Sequence, residues 1–585
     1  MKAYVDETEK ERTWMGLLRQ LSKGLGKVSA EVKKQKGDQN VANEAAFKLA
    51  KENTKVPASN ILAEVGKFLA SDKADAQLIK CTVLAQATPR GLAEFAQQGT
   101  EQAALVERLL SDNALMKQML EAGGAKDGQY GQAMKNYSDI HKASQHAEKG
   151  ILQRLALAAS LELAAPLDRD QDDKSKIDPV HRYLNFEKAY LDGRLDKYFK
   201  DMTAWECRMI VDAACPDDVL TWAREMLWNY RPELIDYSLY THIMEDVPYN
   251  RIDKPNPSLN YWQNVLQTGG SCGPYSSLGR VIFKSIGIPT YGMSQQGHAA
   301  MSYWTPKGQR MLKGAAWMWG WWGSRSGTDF LLERDAREFG ESYKKVLRAD
   351  WVSDVLGEKK YQSHNFIPGD FWDGVALYQK RDIVAKNNVA ELALDSPELA
   401  ESDAKSQKVE SNANSKGTIP LFDGRTLRFG RGGVILWPSE VTTEADKKIV
   451  TSTAGVITIP AIAYSPLKKG IVEQGPKGTF KDFSKEYFVR VSKWEKVAYE
   501  FEAPKAGKYT FSARVVTVHN GLIIQVAPND SKEPSIVDVP NSVGLWVDTV
   551  PVAIALVKGK NILHLSFDNS KANANIKKLT LTPVK

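Results

Sequence analysis

The period of the hydrophobic pattern changes along this chain, and that change limits the folds it can adopt. Up to about residue 165, apolar residues recur at helical spacing, as in "ASNILAEVGKFLA" and "KGILQRLALAASLELAA". Near the C-terminus they alternate in short runs such as "GKYTFSARVVTV" and "KNILHLSF", separated by Gly, Asn, Asp and Pro. One hydrophobic core cannot serve both patterns over 585 residues. The sequence therefore predicts a multidomain protein that begins helical and ends as an antiparallel β-sandwich.

Composition predicts where the domains meet. Residues 1–168, rich in Ala, Leu, Lys, Gln and Glu, are expected to form a helical domain. In residues 169–395 aromatic residues, Gly and Pro become frequent, and helical and strand-like segments mix. The stretch 392–418 is polar and free of aromatic residues, which is typical of a linker, and we assign 396–455 to a linker with a short β segment. Residues 456–585 are expected to form the sandwich.

Charge and apolar runs exclude two classes of partner. The 78 basic and 71 acidic residues nearly cancel, and no compact Lys/Arg block is present, so no nucleic-acid partner is predicted. No apolar run approaches the roughly 20 residues that a membrane helix needs. The N-terminus "MKAYVDETEKERTW" is acidic where a secretory signal would be basic and then apolar. Either the protein stays inside the cell, or its signal has been removed and an extracellular or periplasmic location is favoured.

The cysteines and histidines do not predict a metal site. Four cysteines in a chain of this length do not form a disulfide framework, and neither CxxC nor HExxH occurs. Cys207 and Cys215 are expected to be buried thiols. We therefore predict no cofactor, apart from calcium that the sandwich could hold through loop oxygens.

The stretch "GGSCGPYSSLGRVIFKSIGIP" (269–289) is the strongest candidate for chemistry. Two glycines allow a tight turn, and apolar residues at helical spacing follow Cys272 until Gly287 and Pro289 stop the helix. The first turn of a helix stabilises a thiolate, which is the nucleophilic form of cysteine. Two predicted strands joined by "TPKG" come next, and His298 begins the first of them. A cysteine on a helix and a histidine on a neighbouring strand are the minimum for a thiolate–imidazolium pair.

These motifs, with "GHAAMSYW" after them, resemble the core of the transglutaminase-like superfamily of papain-type cysteine enzymes. The resemblance is specific over about 50 residues. It implies an α+β, papain-like domain in which Cys272 is the nucleophile, Arg280 the helix arginine and His298 the general base. The implied reaction is acyl transfer at an amide: hydrolysis of a peptide or peptidoglycan cross-link, or transamidation.

The sequence departs from this family at the third catalytic residue. An aspartate that orients the histidine is expected about 16 residues after it, where this chain has Gly314. Without that partner the tautomer and position of the imidazole are less controlled. Asp329 or Asn365 are the candidates to substitute for it.

The oxyanion that forms during attack on an amide needs a hydrogen-bond donor. The backbone N–H of Cys272 is one candidate. Gln267 or Gln263, upstream of the cysteine, could supply a side-chain donor, and Gln295 and Gln296 compete with them.

The C-terminal residues 456–585 resemble carbohydrate-binding modules of families 6 and 35. The resemblance depends on "AGKY" before a central strand, a tryptophan before a Val-rich strand, "GKN" in a turn and an asparagine just before the last strand. It implies that a sugar ring stacks on Trp546 and that the amide of Asn575 bonds a hydroxyl. Trp494 or Tyr499 would be a second platform. The alternative is a sandwich that only packs against its neighbour.

Two functions remain open at this level. The first is a cysteine protease, amidase or transglutaminase-like acyltransferase with an appended glycan-binding sandwich. The second is a catalytically degenerate protein that binds glycans or assembles on a surface. An orienting group beside His298 would favour the enzyme. The specific substrate, the glycan and the oligomeric state stay undetermined.

Overall fold

The computed structural model describes most of the chain beyond residue 59, in two compact units. Each unit is assembled from two stretches, Met1–Asp217 with Gly287–Ala404 and Asp218–Ile286 with Lys405–Lys585. The described residues are 60–167, 177–232, 244, 246–295, 298–306, 308–312, 327–361, 369–387, 418–420, 426–429, 435–436, 441–465, 478–491, 496–529, 531–567 and 573–584.

The described part of the first unit is mainly helical, as the apolar spacing predicts. Its α-helices are Asn60–Ala70, Asp75–Ala87, Pro89–Ala96, Thr100–Ser111, Asn113–Glu121, Tyr130–Ala143, Gly150–Glu162, Pro179–Leu191, Ala204–Val211, Gly327–Arg337, Gly340–Leu356 and Phe371–Lys386. Short 3-10 turns lie at Lys126–Gly128, Gln145–Glu148 and Phe199–Asp201.

Local sequence explains where several of these helices begin. Pro89 occupies the first turn of its helix, where its missing N–H costs nothing. Thr203 and Glu206 form a capping box at the start of Ala204–Val211, each side chain bonding the other's backbone N–H. Cys207 and Cys215 are buried free thiols, which confirms the expectation for them.

A three-stranded antiparallel sheet completes the described part of the first unit. Its strands are Thr290–Gln295, His298–Thr305 and Gly308–Leu312. The two predicted strands after the histidine are present, and Thr290–Gln295 pairs with the first of them so that Gln295 lies opposite His298. The sheet contributes to a buried apolar cluster of Trp205, Met209, Tyr291, Met293, Ala300, Phe330 and Leu331.

The second unit contains the β-sandwich and a helical segment from the middle of the chain. Its helices are Tyr261–Thr268, Cys272–Ser285 and Asp217–Tyr230, whose first residue is the last of the first unit. A small sheet of Thr418–Pro420, Thr426–Phe429 and Ile435–Leu436 precedes the sandwich.

The sandwich consists of two antiparallel sheets. Among the described residues the larger has eight strands, Val450–Thr451, Ile457–Pro460, Gly478–Lys481, Tyr487–Val491, Gly507–Val516, Val547–Asp548, Val552–Leu556 and Ala574–Pro583. Gly507–Val516 and Ala574–Pro583 pair at its centre. The smaller has the order Lys496–Ala503, Gly559–Phe567, Leu522–Pro528, Ser535–Val539.

Alternating burial along the strands builds the sandwich core. In Lys496–Ala503, Val497, Tyr499 and Phe501 are buried whereas Glu500 and Glu502 are exposed. The inward residues of both sheets join one apolar cluster that includes Ile459, Val489, Phe511, Ile524, Leu563 and Leu579. The prediction of helices followed by an antiparallel sandwich is confirmed. A transglutaminase-like arrangement within 169–395 stays a prediction, because those residues are divided between the two units.

No helix among the described residues is both long and apolar enough to span a bilayer.

Candidate functional site

Cys272 is the first residue of its helix, as the sequence predicts. The helix runs from Cys272 to Ser285, and Ser271 before it has extended backbone angles without a side-chain cap. The thiol is free and partly exposed. At the other end Gly287 has a φ of +80°, which favours glycine and stops the helix. A partly exposed thiol at a helix start is chemically able to act as a nucleophile.

The turn before Cys272 is held closely by an upstream segment. A side chain at Gly269 would place its Cβ 2.3 Å from the carbonyl oxygen of Pro248 and 2.6 Å from that of Asn250. The N–H of Gly270 donates to the Pro248 carbonyl at 3.2 Å, and the N–H of Ile252 donates to the Thr268 carbonyl at 2.8 Å. Residues 246–252, which we call the Pro248 segment, therefore hold the turn that precedes Cys272 in place.

Two tyrosines lie at this turn. The rings of Tyr249 and Tyr275 are tilted against each other with centroids 5.6 Å apart. Burial raises the pKa of the Tyr249 phenol, and negative charge on the nearby Cys272 raises it further. Tyr275 is buried and its hydroxyl donates to the carbonyl of Met244.

Two of the four glutamines proposed as oxyanion donors, Gln263 and Gln267, have side-chain partners elsewhere. Gln263 belongs to a capping box, where its side-chain oxygen accepts from the N–H of Asn260. Gln267 is partly exposed, and its amide nitrogen is 3.5 Å from the side-chain oxygen of Asn520 in the sandwich. Gln295 ends a strand, and Gln296 lies outside the described residues.

The remaining predicted catalytic residues belong to the first unit or fall outside the described residues. His298 begins its strand and is partly buried. Asp329 lies in the helix Gly327–Arg337, and its role as the residue that orients His298 stays a prediction. Gly314 and Asn365 lie outside the described residues. Because Cys272 belongs to the second unit and His298 to the first, their pairing stays a prediction.

Trp546 lies on the outer surface of the larger sheet. It is partly exposed, and Phe488 meets it edge-on with ring centroids 5.6 Å apart. The Lys577 ammonium is 4.5 Å from the indole centroid. That ammonium also pairs with Asp482 and, at 2.7 Å, with Glu486. The indole N–H of Trp546 is buried and has no hydrogen-bond partner among the described residues.

Asn575 lies on the same face of the larger sheet as Trp546, but another segment of the chain covers it. It is the second residue of the last strand and is fully buried. Its amide nitrogen donates to the carbonyl oxygens of Asn229 and Tyr230, at 2.8 and 3.0 Å. Arg490, on the adjacent strand, donates to the side-chain oxygen of Asn575 and to the Tyr230 carbonyl. The two side chains thus bond carbonyls at the end of a helix, where no intrahelical partners remain.

The helix that they hold, Asp217–Tyr230, is called the docking helix below. The indole N–H of Trp222 donates to the carbonyl of Val543 at 3.0 Å. The Cβ position at Gly544 is 2.1 Å from Cγ of Met226, so only glycine fits there. The docking helix therefore packs on the sandwich along several turns.

Of the two candidates for the second aromatic platform, Tyr499 is excluded by its burial, and Trp494 stays a prediction. Tyr499 is 1 % exposed and its hydroxyl donates to the carbonyl of Ala461, so the expectation that it faces a sugar is wrong. It occupies an inward position of an alternating strand. Trp494 lies outside the described residues.

Sequence reasoning missed the groups that surround Trp546 and Asn575. Arg490 lies between Val489 and Val491 in "EYFVRVS", and both valines are buried in the core. This alternation indicates that the arginine points outward from the sheet. Lys577 and Phe488 are ordinary strand residues in sequence, and only the pairing of strands brings them to the tryptophan.

On the outer face of the smaller sheet, in contrast to Asn575 on the larger one, the side chains are exposed or partly exposed. His564 is exposed and lies opposite Ala498 on one neighbouring strand and Ala527 on the other. Ile562, 39 % exposed, and Gln525 lie on the same face.

Metal binding has no candidate cluster among the described residues. No group of three His, Cys, Asp or Glu side chains there is arranged to hold an ion. Calcium in the sandwich stays a prediction.

Comparisons with known proteins give similarity to carbohydrate-binding modules over about a fifth of the chain. No family model and no curated protein matches the chain. Among solved structures, the family 6 carbohydrate-binding module of a laminarinase from Zobellia galactanivorans has 16 % identity, with 22 % of this chain and 98 % of that chain covered and a TM-score of 0.18. A family 6 module from Clostridium cellulolyticum, solved with xylose, has 20 % identity, covers 21 % and 95 %, and has a TM-score of 0.19. A module from a Cellvibrio mixtus lichenase, solved with cellotriose, has 14 % identity, covers 22 % and 97 %, and has a TM-score of 0.18. TM-scores this low do not establish a shared fold or ligand, so the sandwich is defined by its strand pairing.

Proposed function

We propose that this protein binds glycans through the surface around Trp546 of its C-terminal sandwich. The observation that carries the proposal is the partly exposed indole of Trp546, which has the Lys577 ammonium over its ring and the exposed Glu486 paired with that ammonium. An aromatic face suits the C–H face of a pyranose, and polar groups around it fix the orientation of the ring.

The charges beside the indole favour a neutral sugar. Lys577 can donate to a hydroxyl oxygen, and the exposed carboxylate of Glu486 can accept from a hydroxyl hydrogen. Asp482, 3 % exposed in its side chain, offsets the Lys577 charge. Since the ammonium already has two carboxylate partners, a uronate carboxylate would meet repulsion there.

Asn575 does not take part in this proposal as long as the docking helix is in place. Its amide hydrogens are engaged by the carbonyls of Asn229 and Tyr230. The polar contacts of the sugar are therefore assigned to Lys577 and Glu486.

The test is glycan-array binding by the full chain, followed by calorimetry with the best neutral oligosaccharide. Trp546→Ala should weaken binding at least tenfold, about 1.4 kcal/mol, and Trp546→Phe should fall between it and the wild type. His564→Ala, on the open face of the smaller sheet, is the matched control and should bind as the wild type does. Wild-type protein that binds no glycan, or a Trp546→Ala variant with unchanged affinity, contradicts the proposal.

A second candidate function is acyl transfer at an amide, favoured by the position of Cys272 at the start of its helix. The thiolate would attack the carbonyl carbon, and the leaving amine would take its proton from His298. Water or another amine would then release the acyl group from the thioester. The backbone N–H of Cys272 and Gln267 would bond the oxyanion, and Asp329 would orient the histidine.

Alkylation tests this second candidate. Iodoacetamide should modify Cys272 at neutral pH faster than free cysteine, and His298→Ala should abolish that advantage. Cys81, which is also partly exposed, is the internal control and should react no faster than free cysteine. A Cys272 rate equal to that of Cys81 would remove the catalytic role.

A further inference from the structure

Two neighbouring pairs of residues on the outer face of the larger sheet have different partners. Arg490 lies opposite Asn575, and both side chains bond carbonyls at the end of the docking helix. Phe488 and Lys577 are two residues further along the same two strands, about 7 Å away, and both contact the ring of Trp546. The end of the docking helix therefore lies one residue pair along the sheet from the proposed sugar platform.

The docking helix and the sandwich also bring a second pair of aromatic rings together. Trp228, in the last turn of the docking helix, and Phe483, in the sandwich, meet edge to face with ring centroids 5.4 Å apart. Both residues are partly exposed, whereas Trp222 and Met226, which contact the sandwich from earlier turns of the helix, are buried. The pair of Trp228 and Phe483 therefore presents aromatic surface to solvent where the helix meets the sandwich.

The turn that carries Phe483 connects this pair to Trp546. Phe483 lies between Asp482 and Glu486 in the turn of a β-hairpin, and the N–H of Glu486 donates to the Asp482 carboxylate at 3.0 Å. Both carboxylates also pair with Lys577, whose ammonium lies over the Trp546 ring. One small charged cluster thus holds both the aromatic pair and the sugar platform.

We propose that Trp228 and Phe483 form a second sugar subsite, so that the protein binds a neutral oligosaccharide across the docking helix and the sandwich rather than a single sugar. This subsite rests on the proposed function at Trp546. One sugar ring stacks on Trp546, and a later ring of the same glycan contacts the aromatic surface of the pair. Lys577 and Glu486 donate to and accept from the hydroxyl groups of the glycan.

Calorimetry on the full chain separates this subsite from the platform at Trp546. The ligands are the best neutral oligosaccharide from the glycan array and the shortest member of the same series that still binds. The wild type should bind the longer glycan more tightly. Trp228→Ala should weaken binding of the longer glycan about fivefold and leave the affinity for the shortest one unchanged, because only the longer glycan reaches the pair. Trp546→Ala should weaken binding of both.

A second variant and a matched control accompany Trp228→Ala. Phe483→Leu keeps an apolar contact with Trp228 but removes one aromatic ring, so it should also reduce the gain in affinity with glycan length. Trp304 is the control, because it is partly exposed and paired with the ring of Tyr198 at 5.8 Å between centroids, but belongs to the first unit. Trp304→Ala should keep the wild-type gain.

The outcomes distinguish the subsite from the proposed function. If Trp546→Ala loses binding but Trp228→Ala keeps the wild-type gain with glycan length, the subsite is wrong and the platform at Trp546 stands. Equal losses for both glycans in Trp228→Ala would assign Trp228 a packing role and also overturn the subsite, as would a wild type whose affinity does not rise with length. Should Trp228→Ala not fold, an unchanged gain in Phe483→Leu overturns it. A wild type that binds no glycan overturns the subsite together with the proposed function.

Discussion

The two outer faces of the sandwich differ in what lies over them. On the larger sheet, Arg490 and Asn575 are 2 % and 0 % exposed because they bond carbonyls of the docking helix. On the smaller sheet, Glu500, Ile562 and His564 point away from the core and are exposed. Side chains that point outward from their strands are thus buried on one sheet and exposed on the other. A polar residue on a sandwich face therefore does not by itself mark a ligand site, because a distant segment of the same chain can form its hydrogen bonds.

Arg490→Ala should produce the largest loss of stability. The substitution removes donors to the Tyr230 carbonyl and to Asn575, together with a guanidinium 5.0 Å from the ring centroid of Phe480. Buried hydrogen bonds from a charged group suggest a loss of about 3 kcal/mol in the free energy of unfolding. Hydrogen exchange in increasing denaturant, followed on peptides from 574–583, measures it.

Arg514→Ala is the matched control for that change. Arg514 is on the same sheet but pairs with Asp548 at the surface, with side chains 34 % and 61 % exposed. An exposed pair of this kind contributes less than about 1 kcal/mol. Equal losses for the two arginines would show that the docking contact is not formed in solution.

Gly544→Ala should have the next largest effect. A Cβ there meets Met226 of the docking helix at 2.1 Å, and the residue has a φ of +80°. Overpacking and backbone strain together should cost about 2 to 3 kcal/mol. Gly521→Ala is the control, since its φ is +70° but nothing lies within 4 Å of the added carbon. It should cost about 1 kcal/mol from backbone strain alone, and a Gly544→Ala loss no larger than that would argue against the packed helix.

Substitution on the open face should have the smallest effect. Ile562→Thr keeps a β-branched side chain at a position 39 % exposed, so the free energy of unfolding should change by no more than about 0.5 kcal/mol. Thermal unfolding monitored by circular dichroism checks this. A loss above about 1 kcal/mol would show that this face is also covered.

The sequence predicts the helices and strands, but not the contacts between elements that are far apart in the chain. The helix from Cys272 to Ser285 and the alternation in Gly507–Val516 follow from local spacing, turn residues and period. The resemblance to carbohydrate-binding modules implies a sugar contact for Asn575, but an amide near a strand has the same local sequence whether a hydroxyl or a helix carbonyl faces it. Its partners, Asn229 and Tyr230, lie some 345 positions earlier in the chain. The sequence around Asn575 does not indicate them.

The catalytic prediction shows the same limit. Cys272 begins its helix, as its motif predicts, whereas the residue that orients His298 stays a prediction, because Gly314 lies outside the described residues. Local motifs place a nucleophile at a helix start. They do not determine which side chain from another element will orient the histidine.

A glycan footprint by hydrogen exchange tests whether the surface around Trp546 binds glycan, because it compares both faces of the sandwich in one experiment. With the tightest neutral oligosaccharide bound to the full chain, protection should increase in peptides covering 482–488 and 545–550, around Trp546. Peptides from 559–567, on the open face of the smaller sheet, should be unchanged. Protection confined to 559–567, with none around Trp546, would show that the glycan does not bind at Trp546.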